Sequence, residues 1–172
     1  MGKYLSNKKV YLSGAIEYNS DGFNWRIEPK QQLESRFGLD VFDPFADPKQ
    51  QWVPELNEAQ KNKDLVKMKE IASKFVRKDL ANVDESKFLI AHFIHGLPTT
   101  GTHHEVINAN NAKKPTLLLC EKGAEFIPKW YFGFISLDYL FGSWEELYSY
   151  LQEVDDGKHM DDDRWSIVYD LI

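Results

Sequence analysis

Two carboxylates, Asp79 and Glu105, are the residues whose positions most suggest chemistry. Asp79 falls in line with Ala72, Phe75, Val76 and Val83 at helical spacings of three and four, on a face where an unpaired charge is expensive. It therefore needs a partner or a task. As a structural residue it would be a helix-end side chain bonded to a loop or to an arginine such as Arg77. Glu105 follows the loop His95 to Gly101 and lies in the first turn of the helix after it, where backbone N–H groups favour the ionised form. An ionised, positioned carboxylate can act as a nucleophile. The same glutamate also completes the pattern Thr102-His103-His104-Glu105, a capping box in which it would only satisfy a backbone donor. The histidines His92, His95, His103 and His104 invite a zinc reading, since imidazoles suit that ion. Neighbouring residues on a helix point to different sides, however, so no metal site is assigned.

The elements that must carry these residues are readable from pattern. Val10 to Gly14, Leu39 to Phe42, Phe88 to Ile94 and Thr116 to Cys120 are short apolar runs expected as strands. Asp21 to Phe37, Lys63 to Asn82 and Thr102 to Ala112 are expected as helices, with Pro29 resetting the start of the first. Asp43-Pro44 and Asp47-Pro48 force a loop after the second strand. Ser143-Trp144-Glu145-Glu146 opens a further helix through Val154, and Trp165 to Leu171 is expected as a closing edge strand. Strands alternating with helices imply an α/β fold with a mostly parallel sheet, whose ligands gather beyond the carboxyl ends of the strands. The loops after Leu12, Phe42 and Ile94 then share one rim.

Composition narrows the function classes. A chain of 172 residues with 42% hydrophobic content fits one domain over residues 1–172, with an aromatic-rich C-terminal extension from about residue 125. Its formal net charge of −6 argues against a binder of polymeric nucleic acid, which needs clustered cations to displace counterions. The single cysteine, Cys120, allows no intramolecular disulfide and fits a reducing compartment. There is no apolar signal core at the start and no apolar run approaching the ~20 residues of a membrane span. A cytoplasmic protein without membrane attachment is expected.

Tyr11-Leu12-Ser13-Gly14 at the first strand, Asp43-Pro44 after the second, Lys78-Asp79-Leu80 before the third, and Gly101-Thr102-His103-His104-Glu105 followed by Lys114-Pro115 together resemble the nucleoside 2-deoxyribosyltransferase family. The likeness runs from about residue 8 to 120. It implies a Rossmann-like (flavodoxin-like) three-layer sandwich with a sheet of about five strands. It also implies cleavage of the N-glycosidic bond of 2′-deoxynucleosides, with Glu105 attacking C1′, Asp79 assisting the departing base and Tyr11 positioning the glutamate. Ser13, Gly14, Asp43, Thr99, Thr100, Gly101, Thr102 and His104 would line the substrate site. A small nucleoside or nucleotide is the implied partner, with no cofactor, in a homodimer or higher homo-oligomer. Thr99 stands where nucleoside-using members tend to carry an aspartate and where related 5′-monophosphate N-glycosidases carry a serine. Neutral hydroxyls at a helix N-terminus suit a phosphate, so hydrolysis of a 5′-monophosphate is the alternative to base transfer. A nucleotide-binding module without turnover is the alternative from another class.

Overall fold

The computed structural model describes residues 4–16 and 25–170. Five strands form one all-parallel sheet: β1 (Lys9–Gly14), β2 (Asp40–Phe42), β3 (Phe88–His92), β4 (Thr116–Leu119) and β5 (Leu140–Phe141), in the order β2-β1-β3-β4-β5. Parallel strands require crossovers; α-helices supply those up to β4, and a run of 3-10 turns carries the chain from β4 to β5. α1 (Ile27–Phe37) and α5 (Trp144–Asp155) contact each other on one side of the sheet, while α3 (Leu65–Glu85) and α4 (Thr100–Asn111) contact each other on the other. The result is a Rossmann-like three-layer α/β sandwich with flavodoxin-like strand order. Its chain leaves β1 for one edge through β2 and returns through β3 toward the other, so the order reverses between β1 and β3.

The central strands are buried on both faces, which explains their continuous apolar runs: Val10, Tyr11 and Leu12 on β1, Phe88 to Ala91 on β3, and Leu117 to Leu119 on β4 are all buried. Cys120 is buried at the end of β4, as its apolar run implied. α1 begins at Ile27, with Pro29 in its first turn where the missing N–H costs no helical bond. Gly38 ends that helix at φ 67°, a left-handed conformation that glycine adopts without steric penalty, and its N–H donates to the Glu34 carbonyl. The expected helical residues 21–24 lie outside the described residues.

Two expectations change. The helix expected from Lys63 to Asn82 runs Leu65–Glu85, and Val76 on its supposed apolar face is exposed. Of the edge strand expected from Trp165 to Leu171, residues 165–170 are not a strand and Leu171 lies outside the described residues. Asp163–Ile167 is a 3-10 helix in which Trp165 is buried, as is Val168 at its C-cap, a spacing of three that matches helical turns, and the sheet's edges are β2 and β5. The aromatic-rich region from about residue 125 contributes β5 and α5 to the sandwich, with Tyr131, Tyr139, Phe141 and Tyr148 in the core. Among the described residues no helix is long and apolar enough to cross a membrane.

Candidate active site

Tyr11 and Ser13 alternate with Val10, Leu12 and Gly14 along β1, so their side chains leave the sheet on the face covered by α4. There they meet Glu105. The Tyr11 hydroxyl donates to Glu105 Oε1 at 2.8 Å, and the Ser13 hydroxyl donates to Glu105 Oε2. Glu105 is 8% exposed, and Tyr11 and Ser13 are fully buried. Two hydroxyl donors, one on each oxygen, fix the plane of the carboxylate. Burial, followed by the negative charge of Glu105, pushes the Tyr11 phenol far above its usual range, so it stays a donor at any ordinary pH. The contact spans β1 and the helix after β3, which puts Glu105 at the crevice where the strand order reverses.

The capping-box reading of Glu105 is therefore overturned. α4 begins at Thr100 with Thr99 as its N-cap, which leaves Glu105 in the helix's second turn, facing inward. Thr99 donates from its hydroxyl to that of Thr102 at 2.5 Å, and Thr102 is buried. Thr100, Gly101 and His104 are exposed at the start of α4. His103 turns the other way and places its Nδ1 2.5 Å from the Tyr131 hydroxyl, with the two rings stacked. It lines a cavity of about 340 Å³ together with Phe93, His95, Thr99 and Phe126; Glu105, Tyr11 and Ser13 do not line it.

Asp79 is not a helix-end residue, nor is Arg77 its partner. It sits within α3, 20% exposed at its side chain, and forms an ion pair with Lys49. Lys49 is 1% exposed and comes from a 3-10 turn, Pro48–Trp52, whose start is capped by Asp47 through the Lys49 N–H. Asp47 in turn pairs with Lys78 at 2.6 Å. Burial lowers Lys49 to about 8, against the opposing pull of Asp47 and Glu105.

Asp43, just past β2, accepts from the Phe45 N–H at 2.8 Å and lies 3.6 Å from Arg26 Nε. Arg26 is also fully buried. Its guanidinium donates to the carbonyls of Leu12 and Gly14, the latter at 2.7 Å, and burial lowers it to about 10. Gly14 is a packing requirement: a Cβ there would stand 2.4 Å from Cζ2 of Trp25. Asp43 and Gly14 thus brace the rim around the carboxylate. Lys114, from the Lys-Pro pair, donates to the carbonyls of Val83, Asp84 and Ser86 at the end of α3.

Lys49 and Arg26 carry no signal that would have singled them out. A lone cation beside Pro48 or Trp25 reads as solvated surface, and only tertiary structure buries it. Among the described residues no group of three His, Cys, Asp or Glu side chains could hold a metal ion. No protein-family model matches the chain, and no curated protein matches it in sequence.

Proposed function

We propose that this protein cleaves the N-glycosidic bond of 2′-deoxynucleosides or their 5′-monophosphates through a covalent glycosyl ester on Glu105. The observation that carries the reading is the Glu105 carboxylate held by the Tyr11 and Ser13 hydroxyls at the strand-order crevice. Breaking C1′–N builds positive charge on the sugar, and an oriented carboxylate stabilises that charge and then captures C1′. Two hydroxyl donors hold the group in place, while the remaining lone pairs of each oxygen are free to attack. Asp79 serves as the second carboxylate, facing the departing base. The reaction calls on neither metal nor organic cofactor.

The acceptor for the glycosyl group is a second nucleobase or water. Transfer between bases is the leading reading. The Thr100 hydroxyl, exposed at the N-terminus of α4, favours a phosphate-bearing substrate as the alternative, because it and the helix N–H groups donate without adding negative charge.

The deciding experiment incubates the protein with deoxynucleosides plus an acceptor base, and separately with deoxynucleoside 5′-monophosphates, and follows free base and exchanged product by chromatography. Exchange identifies a transferase; base release from the monophosphate alone identifies a hydrolase. Glu105→Ala is expected to abolish both while the far-ultraviolet circular dichroism stays unchanged. Base release at the unaltered rate in that variant sinks the mechanism.

A further inference from the structure

A lysine buried to 1% exposure is an expensive feature, because desolvating an ammonium costs several kcal/mol unless it is paired. Lys49 stands behind Asp79, which is the more solvent-facing member of the pair at 20% side-chain exposure. The charges that face Lys49 come from three elements: Asp79 and Lys78 from α3, Glu105 from α4, and Asp47 from the cap of its own turn, with Arg26 also felt. Phe75 of α3 closes the apolar side, its ring centroid 5.9 Å from the ammonium. Folding has therefore enclosed one cation between the half-buried Asp79 carboxylate and the field of Glu105.

We propose that Lys49 is a positioning residue that controls the proton carried by Asp79, so that the two act as one proton-holding unit for the departing base. The inference rests on the glycosidic reading of Glu105. In the first step a Glu105 oxygen bonds C1′, and the C1′–N bond breaks with its electron pair going to the base. The base nitrogen takes a proton from the Asp79 carboxyl, and that proton is drawn from Lys49, which is left as a neutral amine. In the second step water or an acceptor base attacks C1′, and the ester bond breaks with its pair returning to Glu105. The attacking group's proton passes through Asp79 back to Lys49. Burial supports such exchange, since it brings the lysine from its ordinary value toward that of a group able to give and regain a proton near neutrality.

The test compares an ordinary purine deoxynucleoside with 7-methyl-2′-deoxyguanosine, whose base departs without needing a proton, using the full chain. Lys49→Met is expected to lose roughly 100-fold or more in kcat on the ordinary substrate, the usual reach of general acid catalysis, and about 3-fold or less on the methylated one. The unaltered protein is expected to show a basic limb in its pH–rate profile near 8 on the ordinary substrate only. Lys49→Arg, which keeps the charge but cannot give up its proton, is expected to remove that limb and leave the methylated substrate turning over. If Lys49→Met does not fold, Lys49→Arg decides. Equal losses on both substrates, or a limb unchanged in Lys49→Arg, overturn the role of Lys49 and leave Glu105 chemistry standing. No base release from either substrate by the unaltered protein overturns the glycosidic reading and this inference together.

Discussion

At the scale of the residue, Tyr11 and Glu105 form the contact on which the proposed chemistry turns. A hydrogen bond to a charged group contributes about 1.5–3 kcal/mol, so Tyr11→Phe is expected to lower kcat/KM roughly 10- to 100-fold. Steady-state kinetics against the unaltered protein check this, and an unchanged value would make the tyrosine a packing residue stacked on Phe42. The importance of Glu105 could be suspected from sequence, but its local motif pointed equally to capping. What a four-residue window cannot contain is the hydroxyl of Tyr11, 94 positions away. The apolar face on which the sequence puts Asp79 calls for a partner or a task. Its actual partner, Lys49, was hidden because charge in a Pro-flanked turn looks solvated until tertiary contacts bury it.

At the scale of the element, the strands were the most legible part. Runs such as Val10 to Gly14 and Thr116 to Cys120 are doubly buried, and their hydrophobicity is continuous. Elements with thin buried faces escaped notice. α2 (Val53–Lys61) buries only Ala59, and β5 is two residues long, too short for any periodicity. The Lys-Pro pair acquires a structural meaning: Lys114 Nζ caps the carboxyl end of α3, satisfying carbonyls that a helix terminus leaves without partners. Burial lowers the affinity of Lys114 for its proton, yet the three carbonyls leave it well solvated by the backbone. Lys114→Met is expected to destabilise the fold by about 2–3 kcal/mol, read as a shift in the urea midpoint. A shift within error would mean water replaces the ammonium at no cost.

At the scale of the whole molecule, pH acts through the interior. His92, the last residue of β3, is buried between Trp25 and Trp144, with ring centroids 4.4 Å and 5.7 Å away. Burial lowers it to about 4 despite the exposed Glu121 carboxylate 3.0 Å from its Nε2. The unfolded chain therefore binds this proton first as pH falls, and stability contributed by the neutral ring above about 6.5 is lost progressively toward pH 4. Urea denaturation at pH 7 and pH 4.5 should differ by about 2–3 kcal/mol from this group, and His92→Leu should shrink the difference by that amount. An undiminished difference in the variant would assign the acid sensitivity elsewhere. The order of the strands was not readable from composition or periodicity. It follows from which crossover packs on which face, a property of the assembled layers.

The reversal of strand order between β1 and β3 also dictates when the site can exist. β1 hydrogen-bonds in register to β3, Val10 beside Phe88 and Gly14 beside His92, so its inner edge waits for a segment nearly eighty residues further along. Closing a loop of that length comes at an entropic cost before any contact rewards it, and folds dominated by such distant pairings acquire their structure slowly. A nascent chain emerging from the ribosome holds Tyr11 and Ser13 long before it holds Glu105. The carboxylate meets its two hydroxyls only after α4 has been synthesised and docked, which makes this constellation a late product of folding.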